Sequence, residues 1–130
     1  MKHYNVVAAV VCHDGKYLCM QKGKTKFEYT SYKWEFPGGK IEPGETSQQA
    51  LARELMEEME YPVEVGDKLV TVNHEYPDFS ITMTAFLCTP KGGANGFKRR
   101  EHADSKWCSK DELKGLNWAA ADVGVVASIL

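Results

Sequence analysis

The chain has 130 residues, of which 43% are apolar and 26% charged, and its 16 basic and 18 acidic side chains leave a formal net charge of −2. Those proportions are ordinary for a folded globular domain and exclude a collagenous chain or a disordered tail. They predict one domain over residues 1–130. No apolar run reaches the length of about 18 residues that a spanning helix needs, so no membrane association is expected. Without a basic surplus, long-range attraction to a nucleic-acid polymer is not expected either.

An apolar run over residues 6–12 breaks at His13-Asp14-Gly15 and resumes over 17–21. Asp-Gly between such runs predicts a hairpin. This opening reads as a strand entering a turn and not as a secretory signal, which predicts a cytoplasmic protein. Residues 23–33 are polar and irregular and predict an exposed loop. Trp34-Glu35-Phe36 predicts a short strand, and Pro37-Gly38-Gly39 a turn after it. Thr46 followed three residues later by Gln49 is a capping box, opening a helix that runs to about residue 60 before Pro62. Strands are predicted over 63–76 and 80–89 around Pro77-Asp78, a loop tip over 92–96, and a last strand near residue 107. Ser109 with Glu112 forms a second, small capping box, and residues 119–130 read as a helix despite Gly124. Hairpin strands with two separated helices predict a sheet covered by helices on its faces.

Cys12, Cys19, Cys88 and Cys108 show no metal-ligand spacing and no disulfide framework, and Cys12 and Cys88 read as small buried hydrophobes. The charge is more informative. Between Glu35 and Glu64 lie eight Glu against Lys40 and Arg53, a balance of −6, while the remaining hundred residues sum to +4. On a helical wheel Leu51, Ala52, Leu55, Met56 and Met59 form the packing face, and Glu54, Glu57 and Glu58 cluster opposite. Like charges three and four residues apart repel. A bound divalent cation relieves that repulsion, and hard cations such as Mg²⁺ take carboxylate oxygens and share substrate phosphates. Upstream, Pro37-Gly38-Gly39-Lys40 allows a close backbone approach, with a carbonyl for a metal and a Lys for phosphate.

Gly39, five residues, Glu45, seven residues, then Arg53-Glu54-Leu55-Met56-Glu57-Glu58-Met59-Glu60-Tyr61 resembles the Nudix box. One element departs: the family's final Gly is Glu60, which predicts a slightly longer helix turned by Tyr61-Pro62, since a left-handed non-Gly residue costs roughly 1–2 kcal/mol. The segment Trp34 to Glu42, the turn Tyr76 to Thr82, the spacing from Glu101 to Trp107 and the tail Leu116 to Asp122 are similar to MutT-type nucleoside triphosphate pyrophosphohydrolases.

That resemblance implies the α/β Nudix fold, a mixed sheet sandwiched between helices. It implies Mg²⁺, or Mn²⁺ in its place, on Glu54, Glu57 and Glu58, with the Gly38 carbonyl and Glu101 as further ligands. Arg53 and Glu45 form an ion pair that orients the cluster. Water attacks the β-phosphorus of a small-molecule nucleotide, and Glu54 or Glu101 takes its proton. Lys22 and Lys40 are phosphate contacts or solvated lysines, and Phe36, Tyr76 and Phe79 line the base pocket or belong to the core. Asp122 stands where relatives place a base-reading side chain, or serves only its helix start. A carboxylate there accepts from an exocyclic amine, which with the Ala-Asp tail and Trp107-Cys108-Ser109 favours a CTP- or dCTP-like substrate, damaged or methylated forms included. An 8-oxo-dGTP sanitising activity is the alternative, followed by hydrolysis of another nucleoside diphosphate derivative and by a non-catalytic scaffold. The oligomeric state is left open.

Overall fold

The computed structural model describes all 130 residues. Strands β1 (Lys2–His13) and β2 (Lys16–Lys22) are joined by Asp14 and Gly15, with φ of 51° and 74°, the pair of left-handed residues that a tight hairpin requires. After an irregular segment come β3 (Trp34–Glu35), β4 (Gly38–Lys40) and helix α1 (Ser47–Met59). Strands β5 (Val63–Glu75) and β6 (Phe79–Pro90) form a long hairpin. They are followed by β7 (His102–Cys108), a single turn α2 (Lys110–Leu113) and helix α3 (Ala120–Ile129).

The strands form a mixed sheet. β1 pairs in parallel with β6 and antiparallel with β4, and β6 pairs antiparallel with β5. At its far end β1 meets β2, which carries β3 on one side and β7 on the other. The apolar run in the middle of β1 has no polar alternation because both of its faces are covered. Ala8 and Val10 pack with Ala121, Val125, Val126 and Ile129 of α3. Val7, Ala9 and Val11 point the other way, into a cluster with Ala50, Leu51, Leu55 and Met59 of α1. This is the expected α/β sandwich. No helix is long and apolar enough to cross a membrane.

The predicted capping box opens α1. Thr46 Oγ1 accepts from the Gln49 N–H at 3.1 Å, and the Gln49 side chain accepts from the Thr46 N–H at 3.0 Å. The second box recurs at Ser109 and Glu112.

Four expectations need correction. Pro37-Gly38-Gly39 does not turn: Gly38 and Gly39 are strand residues opposite Ala8 and Val7. A Cβ on Gly38 would collide with the Val7 carbonyl, so glycine is required for closeness to β1. Met56 is exposed, and Ala50 takes its place on the packing face, because α1 is rotated to bring its acidic side toward the sheet edge. The helix does not lengthen through Glu60, which adopts φ 49°, ψ 41° and ends it in the left-handed conformation. Cys12 is only partly buried, whereas Cys19, Cys88 and Cys108 are buried as free thiols.

Candidate active site

Arg53 is the hub of the acidic helix. Its guanidinium donates to both oxygens of Glu45, at 2.7 and 2.9 Å, in a fork-to-fork pair. It also donates to Glu54 at 3.0 Å, to Glu57 at 3.1 Å and to the Lys40 carbonyl at 3.1 Å. Glu45 in turn accepts from the Glu42 N–H at 2.9 Å. The Arg53 side chain thus holds its proton more firmly than usual, chiefly through Glu45, and Glu45 is held below the ordinary carboxylate range by Arg53. The expected ion pair exists and ties α1 to the segment that leads into it.

Glu54 lies against β4: a Cβ on Gly39 would collide with its carboxylate. Glu58 is the most perturbed acid of the helix. Burial, then the nearby charges of Glu54, Glu35 and Glu101, push it up to about 8. Four carboxylates from α1, β3 and the segment before β7 therefore share one field. Glu57 is more exposed and meets Arg53 from the following turn.

Hard oxygen donors that repel one another are the donor set that a divalent cation suits. Glu54, Glu57, Glu58 and Glu101 fit such an ion in chemistry. As they stand, no three acidic groups converge on one point, and Arg53 spans Glu54 and Glu57, so binding requires side-chain rotation within the cluster.

Two concavities meet at this cluster. The larger, about 1070 Å³, runs between β1, β3, β4, β6 and the start of α3. Its apolar walls include Phe36, Tyr76 and Phe79, and its polar groups include Lys22, Glu35, Gly38, Lys40, Glu58 and Asp122. The smaller, about 240 Å³, has no hydrophobic residue in its lining, which is residues 22–25 with Glu35, Glu58, Glu101 and His102. Lys22, Glu35 and Glu58 border both. Lys22 approaches Glu35 at 3.5 Å, so it stands at the junction instead of on an outer surface. Lys40 lies over the Tyr4 ring at 4.1 Å, at the cavity's edge. Phe36 and Tyr76 serve as core and as lining at once, being 3% and 7% exposed.

Asp122 lines the large cavity from the start of α3. It is 5% exposed, and its Oδ1 accepts from the Phe36 N–H at 3.0 Å. Burial, followed by the charge of Glu35, raises it to about 8. The start of α3 has no side-chain cap. That start is docked on β3 instead: the Trp34 N–H donates to the Asn117 carbonyl at 2.9 Å and the Ala119 N–H to Trp34 at 2.8 Å. Tyr76 Oη accepts from the Ala121 N–H at 3.1 Å.

Sequence reading missed Glu35 and His102 as members of this site. Glu35 joins both concavities, and its Oε2 lies 3.0 Å from His102 Nε2. A charged residue between Trp34 and Phe36 in a strand was the available signal. It also missed that Phe27 and Tyr29 of the supposedly exposed loop stack over the cavity wall. Their rings lie 5.0 Å apart, Tyr29 is 5.7 Å from Tyr76, and Phe27 is 5.9 Å from Phe79.

A two-faced sandwich whose acidic helix borders a nucleotide-sized cavity matches a known family. The chain belongs to the Nudix family: the model described as NUDIX domain matches residues 1–128. It is a Nudix hydrolase of the MutT type. It is 33% identical over 130 residues, 100% of this chain and 93% of the relative, to the Escherichia coli (strain K12) protein named CTP pyrophosphohydrolase. To the 8-oxo-dGTP diphosphatase of Proteus vulgaris it is 40% identical over 88 residues, 68% of this chain and 78% of that one. Among solved structures, that of the E. coli ORF135 protein superposes with a TM-score of 0.82 at 32% identity, covering 99% of this chain and 89% of that chain. The MutT protein of methicillin-resistant Staphylococcus aureus 252 gives 0.74 at 40% identity, covering 99% and 97%.

Proposed function

We propose that this nucleotide pyrophosphohydrolase cleaves a cytosine-type nucleoside triphosphate, CTP, dCTP or a modified form, to the monophosphate and pyrophosphate. The observation that carries this reading is the meeting of the large cavity with the carboxylate cluster at Glu35 and Glu58. A base in the cavity puts its phosphates at the acidic helix. The likeness to a CTP pyrophosphohydrolase over the whole of this chain supports the choice of base.

Glu54, Glu57 and Glu58, with the Gly38 carbonyl and Glu101, would hold Mg²⁺, with Mn²⁺ as a substitute. When bound, the ion neutralises phosphate oxygens and makes a bound water more acidic. Lys22 and Lys40 meet the phosphates from the cavity side, and Arg53, forked on Glu45, holds the acidic helix against the segment that leads into it while Glu54 and Glu57 rotate toward the ion. Water adds to the β-phosphorus, the bond to the α-phosphate oxygen breaks, and the nucleoside monophosphate departs. Glu54 or Glu101 accepts the proton the water loses. The base rests among Phe36, Tyr76 and Phe79. Asp122, uncharged near neutrality, offers a hydroxyl donor beside a carbonyl acceptor, which matches the ring nitrogen and exocyclic amine of cytosine.

The same uncharged acid favours one alternative, an 8-oxo-dGTP diphosphatase, because it can also donate to a guanine carbonyl. Purified protein with Mg²⁺ and a panel of canonical, oxidised and methylated nucleotides decides between them, with pyrophosphate and orthophosphate detected separately. The expected result is pyrophosphate released fastest from cytosine nucleotides. Faster turnover of 8-oxo-dGTP selects the alternative, and no pyrophosphate from any triphosphate refutes both.

A further inference from the structure

The residue that departs from the Nudix box occupies a demanding position. Glu60 sits at φ 49°, ψ 41°, where its N–H donates to Met56 at 3.0 Å and that of Tyr61 to Leu55 at 3.2 Å. This closure is the one glycine normally provides without steric cost. A side chain there is strained, so it needs another reason to be present.

The Glu60 carboxylate is bound by the Arg100 guanidinium and lies 3.4 Å from Lys98 Nζ. The adjoining backbone follows: the Lys98 N–H donates to the Met59 carbonyl at 2.7 Å. Tyr61 Oη donates to the Ala94 carbonyl at 3.1 Å, and the Tyr61 ring meets Phe97 edge-on at 5.3 Å. Arg99, between the two, turns the other way to Asp104 at 3.0 Å. Residues 91–101 contain no helix or strand, so these contacts fix their path. The next residue after Arg100 is Glu101, which lines the polar cleft with Glu58.

As a stability device the arrangement is poor. Glu60, Lys98 and Arg100 are 38%, 67% and 53% exposed, and ion pairs at such exposure contribute little. We propose that Glu60 is a positioning residue, whose carboxylate anchors Arg100 at the end of α1 and so holds Glu101 beside Glu58. This rests on the reading above in which Glu101 takes part in hydrolysis.

The test compares wild type with Glu60→Gly, Arg100→Ala, Arg100→Glu, the charge-swapped pair Glu60→Arg/Arg100→Glu, and Glu101→Gln. Pyrophosphate release is measured well below Tm, on the fastest substrate of the panel. Glu60→Gly is expected to raise Tm by a few degrees and yet to lower kcat about tenfold with KM within twofold. A purely structural role would move Tm and kcat together. The swapped pair is expected to regain most of the kcat lost in Arg100→Glu. Wild-type kcat in Glu60→Gly and Arg100→Ala while Glu101→Gln is inactive overturns the positioning role alone, as does a swap that rescues nothing. Full turnover by Glu101→Gln removes the reading of Glu101 and this inference with it.

Discussion

At the scale of single residues, Asp122 carries the sharpest consequence. Its carboxyl is raised to about 8, far above the value near 4 of an unfolded chain. A raised carboxyl binds its proton more tightly in the folded state. Its stabilising linkage is full below the unfolded value and is lost as pH rises toward 8. Asp122→Asn keeps the acceptor for the Phe36 N–H and has nothing to ionise. Its Tm is expected to match wild type near pH 4 and to exceed it at pH 8, by an amount worth on the order of a few kcal/mol. Equal differences at both pH values would show that folding does not raise the Asp122 carboxyl. In the proposed reaction the same variant changes the relative rates on cytosine and guanine nucleotides, and unchanged ratios would place base recognition elsewhere. Glu57 is the opposite kind of acid, exposed and held by one i to i+4 contact with Arg53, which is worth a few tenths of a kcal/mol. Glu57→Gln is therefore expected to keep its Tm within about a degree and to lose turnover by about 10²-fold. Retained turnover would refute its assignment as a metal ligand.

At the scale of elements, the site is made by the closeness of β4 to its two neighbours. Gly38 meets β1 backbone, which cannot move aside, whereas Gly39 meets the end of the Glu54 side chain, which can. The two alanine substitutions should separate accordingly. Gly39→Ala is expected to give folded protein with Glu54 displaced and turnover largely lost. Gly38→Ala is expected to lose the β1–β4 pairing and much of the stability, visible in denaturant melts. If Gly39→Ala hydrolyses nucleotide normally, Glu54 does not act from its observed position. These contacts also mark how far the sequence could be read. The caps of α1 and α2 were legible because they are local patterns, complete within four residues. The Asp14-Gly15 hairpin was legible for the same reason. Gly38 and Gly39 were misread as a turn because what requires glycine there is remote in sequence, the Val7 backbone of β1 for Gly38 and the Glu54 side chain of α1 for Gly39. Gly124 in α3 has a similarly remote cause: a Cβ would approach Val72 of β5 to 3.0 Å. The acidic face of α1 was legible from helical spacing, but the site also draws Glu35 from β3 and His102 from β7, which only pairing with β2 brings together.

At the scale of the whole molecule, the charge separation and the core are independent of each other. The two apolar clusters, of 14 and 13 buried residues, close on either face of the sheet without using a carboxylate of the acidic helix. A divalent cation on Glu54, Glu57 and Glu58 would thus serve chemistry and not folding, unlike a structural zinc. Removing it with a chelator is expected to abolish pyrophosphate release and leave the far-UV circular dichroism and a cooperative melt intact. Returning Mg²⁺ should restore turnover in full. The ion should also stabilise by mass action, by about 2.7 kcal/mol at a hundred times its dissociation constant. That increment is expected in wild type and not in Glu57→Gln. Unfolding by the chelator would make the ion part of the fold. An equal thermal gain in Glu57→Gln would put the ion elsewhere on the acidic segment. Turnover undiminished in chelator would show that the repulsion among these carboxylates is relieved by something other than a metal.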